Sequence, residues 1–303
     1  MLAPSTTADS TCPACATRGT NACQPIADHE YGLSWIAAYA TCGACATCFQ
    51  APMPAGSQLA DFYPADYHSM GRRGFLTRLR FDLRARRLLS LVDGEGPILD
   101  HGCGDGSFLL RAAERMPGRQ LFGYEIGRDR EVKELAGGQV TLIKGSDADL
   151  WDVLPSCRLI TMNHVIEHLP DPEQTLARLR ERLLPGGWFE GQTPAASSLE
   201  HRVFGGRWSG YHAPRHTVVF SPAGLSSLLE RTGFVQVEVK GAFNPAAIAV
   251  SLASLSQPAH APGRITRSGL GWLFWLGLAA TLAPLDLLSG APGIIDFRAR
   301  SGE

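Results

Sequence analysis

The chain has almost no net charge. Its 28 Lys and Arg against 29 Asp and Glu leave −1 with His neutral. A general nucleic-acid coat needs a basic excess, so that class is excluded. The opening residues, MLAPSTTADS, hold neither a basic start nor an apolar run, and no secretory signal is expected. Charged residues make up only 19% of the chain and hydrophobic ones 45%, which excludes a largely disordered protein. A length of 303 residues leaves room for a sizeable core in one large domain or two smaller ones. What is plentiful is Gly and Pro, 33 and 20 residues, so turns should be frequent.

Cysteine is unevenly spread: six of the eight lie before residue 50. Without export, such clustering points to metal rather than disulfides. Cys12-Pro-Ala-Cys15 and Cys42-Gly-Ala-Cys45 are two C-x-x-C pairs with an echo between them, CPACAT against CGACAT. Two such turns supply the four tetrahedral thiolates of a structural zinc site, which leaves no open position for catalysis. Cys23 and Cys48 are nearby thiols, and Cys45 to Cys48 is a second possible pair. Tyr31 to Ile36 is expected to form a short strand between the knuckles. A module of this size can bury little core, so a metal staple makes physical sense.

The most informative stretch is Ile98-Leu99-Asp100-His101-Gly102-Cys103-Gly104-Asp105-Gly106-Ser107. An apolar strand, a Gly-rich turn and a helix start follow one another, which makes a nucleotide-type site. The dinucleotide fingerprint is G-x-G-x-x-G. Here the turn is G-x-G-x-G, and its compactness suits S-adenosylmethionine. Asp100 then faces the ammonium, and Gly102, Cys103, Gly104 and Gly106 line the amino-acid end. Gln120 to Glu125 reads as a second strand whose terminal Glu125 can accept both ribose hydroxyls. Gln139 to Ile143 is a third strand leading to Asp147, a candidate for the adenine amino group. Alternation continues with a strand at 158–162, a helix from Pro172 capped by Asp171, a strand at 187–192, a helix from Ser221-Pro222 and a strand at 235–239. Residues 292–300 can form a last strand. This order predicts an α/β doubly wound sheet with its ligand at the carboxyl ends of the strands.

These residues, with Tyr124-Glu125-Ile126, the run Asn163-His164-Val165-Ile166-Glu167-His168-Leu169-Pro170 and Pro214-Arg215-His216, resemble the class I S-adenosylmethionine-dependent methyltransferases. The match is to a bacterial branch with a VIEH motif after the fourth strand, and it covers roughly residues 60–241. The resemblance implies a seven-stranded Rossmann-like sheet, that cofactor, and Asn163 beside it. The Cys-rich leader also resembles one found on some relatives, including sugar C-methyltransferases. His101 departs from the pattern, which has an apolar residue there.

Methyl transfer needs alignment, exclusion of water and, for a hydroxyl acceptor, a base. Histidine suits that task near pH 7. His168 is the first candidate, then His216, with His212 and His164 at the same sheet edge. Arg215 is a candidate for an anionic acceptor group, or else pairs with Glu167. Residues 72–87 hold seven Arg against one acid, Asp82, and read as a helix with Phe75, Leu79 and Leu83 inward and a positive face outward. Residues 268–285 carry no charge over 18 positions. An 18-residue helix is about 27 Å long, near the hydrocarbon thickness of a bilayer. An interfacial helix or hairpin, and a lid or dimer contact, both fit.

The expected organisation is a zinc-ribbon-like module at 1–58, an Arg-rich connecting region at 59–96, a cofactor-binding core at 97–241, an apolar helical insertion at 242–290 and a last strand and tail at 291–303. The expected activity is O-methylation of a glycan, lipid-linked sugar or other apolar or anionic acceptor. It would be cytoplasmic, with peripheral contact at the inner face of the membrane as one option, and no nucleic-acid partner. The alternatives are C-methylation of a nucleotide-linked sugar and a zinc-ribbon interaction protein with a non-catalytic fold.

Overall fold

The computed structural model describes residues 10–21, 23–64, 67, 75–92, 94–127, 129–258 and 263–302. The N-terminal part contributes β1 (Gln24–Ala27), β2 (Ile36–Thr41) and β3 (Cys48–Gln50), then α1 (Gly56–Leu59) and α2 (Phe75–Leu91). Alternation follows with β4 (Ile98–His101), α3 (Ser107–Ala113), β5 (Leu121–Ile126), β6 (Glu131–Leu135), β7 (Val140–Gly145), α4 (Asp147–Val153) and β8 (Cys157–Asn163). Next come α5 (Pro172–Glu181), β9 (Leu183–Pro194), α6 (Leu199–Phe204), β10 (Val218–Val219), α7 (Pro222–Arg231) and β11 (Phe234–Gly241). The chain ends through α8 (Pro245–Leu255), α9 (Gly269–Leu288) and β12 (Ile294–Ser301).

The main sheet runs β11-β12-β9-β8-β4-β5-β7-β6. Its middle strands are parallel, and β12 lies antiparallel between β9 and β11. This is the expected doubly wound α/β class, with ligands favoured at the carboxyl edge. The central strands are apolar because both faces are covered; Ile98, Leu99, Leu159 and Ile160 are fully buried. Strand β6 is an addition to the expected order. It turns back onto β7 through Gly137 and Gly138, both at positive φ. Helices α5 and α7 start as expected: Asp171 and Ser221 accept the N–H groups of Gln174 and Gly224, each with Pro next in sequence.

Two expectations are corrected. Tyr31 to Trp35 form no strand, and β2 begins only at Ile36; Asp28 Oδ1 accepts the Glu30 and Tyr31 N–H groups and turns the chain there. Helix α2 is rotated relative to its expected facing. Leu79 and Leu83 are exposed, while Ala85 and Leu88 are buried. Arg84 and Arg87 turn onto acids of the sheet: Arg84 to Asp100 at 2.7 Å, and Arg87 to Glu190 at 3.4 Å and to Asp296. Buried carboxylates need a counter-charge more than two leucines need cover, so the charge pattern sets the facing. Arg72 and Arg73 lie outside the described residues.

The N-terminal strands share a second sheet with the core, in the order β1-β2-β3-β10. Val218 and Val219 pair with Phe49 and Cys48. The second knuckle docks on the start of α7, where Thr47 Oγ1 and Ser221 Oγ are 3.3 Å apart, and the first docks on its end, where Arg231 donates to the Ala14 carbonyl at 2.8 Å. Helices α8 and α9 pack as a hairpin through Ile248, Ala249, Ala279 and Ala283. Ser209 Oγ and Arg207 tie α8 to the loop after α6 by bonds of 2.9 Å to the Ala247 and Gln257 carbonyls. The outer row of α9, including Leu270 at 86% and Leu288 at 82% exposure, is left uncovered by the described residues. This helix is long and apolar enough to cross a membrane by length and composition.

Candidate active site

The turn after β4 is built on glycine. Gly102, Gly104 and Gly106 sit at φ of +80°, +59° and +74°. A Cβ at Gly102 would lie 2.2 Å from Val165 Cγ2, and one at Gly106 would lie 2.7 Å from Leu142 Cδ1. A side chain at Gly102 or Gly106 would have to displace Val165 or Leu142 as well as hold a left-handed backbone. The Gly102 and Cys103 N–H groups donate to the Tyr124 carbonyl, at 2.7 and 2.9 Å. The Gly104 N–H donates to Glu125 Oε2 at 2.7 Å. Turn and strand-end acid therefore meet at the carboxyl edge of the sheet. Burial pushes the Glu125 carboxyl up, and the Gly104 N–H opposes that shift.

The other sequence candidates at this end are already partnered. Asp100 is held by Arg84, which also donates to Thr161 Oγ1 at 3.2 Å. Asp147 accepts the Tyr124 hydroxyl at 2.8 Å. Asn163 donates to Thr161 Oγ1 at 2.7 Å. His101 is buried against Tyr124, with ring centroids 4.9 Å apart, and neither ring nitrogen has a hydrogen-bond partner among the described residues. Burial lowers its pKa to about 4.

The histidines converge at the neighbouring part of the same edge. His168 and His216 rings are 4.6 Å apart, and His212 and His216 rings 4.9 Å. The Arg215 carbonyl accepts from His168 Nδ1 at 3.0 Å, and the Gly210 carbonyl from His216 Nδ1 at 2.8 Å. A carbonyl only accepts, so both neutral rings carry their proton on Nδ1 and their lone pair on Nε2. Tyr63 Oη lies 2.9 Å from His168 Nδ1. His212 differs, since Nδ1 meets Glu30 and Nε2 is 2.9 Å from Arg215 Nε and 3.2 Å from Tyr67 Oη. His164 pairs with Gln192 at 3.1 Å.

Glu167 is completely buried in the middle of this group. Its Oε2 accepts the Thr193 hydroxyl at 2.9 Å; His164 Nδ1 and His216 Nε2 lie 3.4 and 3.8 Å from Oε1. Burial drives its carboxyl up, and His164 beside Oε1 is the first group that draws it back down. Burial lowers both His168 and His216.

Arg215 is turned inward. It is fully buried and bidentate on Asp28, at 2.9 and 3.0 Å, with its guanidinium 4.6 Å from the Tyr31 ring centre. Its partner is thus Asp28 and not Glu167. Asp28, Glu30 and Tyr31 are site-supporting residues with no local signal in the sequence; Asp28 and Arg215 are 187 positions apart.

The cysteine quartet is assembled. Cys12 and Cys45 sulfurs lie 3.7 Å apart, and Cys15 and Cys42 sulfurs 3.6 Å. Four sulfurs about 2.3 Å from a tetrahedral zinc are roughly 3.8 Å apart. The knuckles repeat each other: Ala16 and Ala46 both take positive φ, and their N–H groups return to the Cys12 and Cys42 carbonyls at 2.9 Å. Cys23 and Cys48 stand outside the quartet. The residues fit zinc.

The sheet order, the glycine turn and the strand-end acid define a class I methyltransferase fold. A family model described as a methyltransferase domain matches residues 73–239, more than half of the chain, and the chain belongs to that family. It is similar to trans-aconitate 2-methyltransferase of Deinococcus radiodurans, with 30% identity over 169 residues, covering 50% of this chain and 64% of that protein. It is also similar to ubiquinone biosynthesis O-methyltransferase of Nitrosospira multiformis, with 29% identity over 162 residues, 49% of this chain and 66% of that one. The chain thus spans under two thirds of the lengths of these relatives. A SAM-dependent methyltransferase structure from Archaeoglobus fulgidus aligns over 74% of this chain and 94% of its own, with TM-score 0.46 and 20% identity.

Proposed function

We propose that this chain transfers a methyl group from S-adenosylmethionine to an oxygen of a small acceptor. The observation that carries the reading is the hydrogen bond by which the Gly104 N–H meets Glu125 at the strand ends, with the histidine cluster on the same sheet edge. The sulfonium donor supplies an already activated methyl group. The protein's tasks are to bind, align and remove a proton. Glu125 offers its second oxygen to ribose hydroxyls, and the glycine turn admits the amino-acid end. His168, with a neutral ring fixed on the Arg215 carbonyl, is the first candidate to take the acceptor proton at Nε2. His216 is the second. His212 and His164 are held by their own partners and act as supports.

The acceptor class follows from what is occupied. Arg84, Arg87 and Arg215 are spent on internal carboxylates. Two of the seven Arg in residues 72–87 are thereby withdrawn from the positive face that favoured a phosphate-rich or lipid-linked glycan acceptor. The relatives' names point to O-methylation of compact acids or quinone precursors, and Tyr63 with His168 makes an aromatic wall for such a molecule. Zinc in the cysteine quartet is a structural part of this proposal.

Calorimetric titration with S-adenosylmethionine tests the reading. Wild-type chain is expected to bind, and Glu125→Ala to bind at least about 10-fold more weakly, for two lost charge-assisted hydrogen bonds. A wild-type chain that ignores the ligand overturns the proposal.

A further inference from the structure

We propose that Glu167, His168 and His216 form a binding site for a divalent first-row transition-metal ion, separate from the cysteine quartet. The inference rests on the methyltransferase reading only for its use, since it deepens the acceptor side of that site.

Three observations carry it. Glu167 Oε1 is buried and makes no well-formed hydrogen bond among the described residues; its nearest polar groups are His164 Nδ1 at 3.4 Å and His216 Nε2 at 3.8 Å. Both imidazoles give Nδ1–H to a backbone carbonyl, which is the way metal-bound histidines are oriented. A ligand atom of each of the three side chains lies within 4.8 Å of the other two. Atoms bound at about 2.1 Å to one ion lie roughly 3–4 Å apart, so a small contraction suffices.

The group comes from two separate elements. Glu167 and His168 follow β8, and His216 sits just before β10. His216 Nε2 lies 3.8 Å from Glu167 Oε1, close enough for one cation to meet both. Two nitrogens and one oxygen suit zinc, iron, cobalt or nickel better than magnesium or calcium. The remaining coordination positions would take water or an acceptor oxygen, as three-ligand catalytic sites do. With the ion in place, His168 is a ligand, and the ion anchors the oxygen to be methylated.

The test is a cobalt(II) titration of the full chain after chelator treatment. Thiolate-bound cobalt shows sulfur-to-metal charge transfer, whereas a nitrogen and oxygen site shows visible bands without it. The expected result is two equivalents, one of each kind. Glu167→Gln and His216→Gln should each weaken the second by at least about 100-fold and keep the first. Wild-type chain that takes only the thiolate equivalent, or variants that keep both, overturns the site. If a variant fails to fold, the wild-type count alone decides, since one equivalent rejects the site and two of distinct spectra support it. S-adenosylmethionine affinity measured on the same samples separates the two readings. Cofactor binding with one cobalt rejects the metal site and leaves His168 as base. Two cobalt ions without cofactor binding keep the metal site and reject the methyltransferase reading.

Discussion

Glu200 shows what one buried residue can reveal about the rest. It lies beside Asp286, and a Cβ on Gly293 would come within 2.1 Å of its Oε1. Burial first, and then the Asp286 charge, push its pKa from 4.5 to about 8. Between those values the folded chain keeps a proton that the unfolded chain has released. Stability therefore falls as pH rises through that window, by up to about 5 kcal/mol. Thermal melts should show the midpoint dropping from pH about 5 to about 8, and Glu200→Gln should flatten that slope. An unchanged slope in the variant would sink the assignment. At this scale the sequence is readable where chemistry is local. Gly102, Gly104 and Glu125 announce themselves because a turn and a strand end lie within a few positions. Arg215 does not, because its partner Asp28 belongs to another element far back in the chain. His101 was visible only as an oddity, since its burial depends on Tyr124.

At the level of elements, periodicity placed most strands and helices but not their facing. Helix α2 has leucines on several sides, and the pattern alone could not choose among them. Asp100, Glu190 and Asp296 chose, by requiring arginine. Strand β6 escaped notice because its exposed, charged sequence resembles a loop. The knuckles were legible because their spacing is the site. Both dock on α7, so Cys42→Ser should lower the melting temperature by several degrees. It should also raise amide exchange in residues 209–217, which rest on β3 through Gln50. Exchange confined to the knuckles would show that the metal acts only locally. The outer row of α9 makes a further prediction. Wild-type chain should co-sediment with anionic vesicles, and a Leu273→Ser, Phe274→Ser double variant should not. Equal sedimentation would remove membrane contact as the reason for that row.

For the molecule as a whole, the N-terminal cysteine region and the cofactor fold form a single structure. Tyr39 Oη donates to the His216 carbonyl, 177 positions away, and Asp28 and Glu30 brace the loop that carries His212 and His216. Removal of residues 1–50 should thus abolish methyl transfer by the remaining chain while leaving its Gly turn able to bind S-adenosylmethionine, within about 10-fold of the full chain. Full activity in the shortened protein would contradict this division of labour. The pairing of β3 with β10 also has a temporal side. During synthesis the first fifty residues emerge long before Val218 and Val219 exist, so β3 must wait with an open edge while the central strands are made. A thiolate-bound ion could occupy the nascent knuckles early and keep that waiting segment from joining the wrong neighbour.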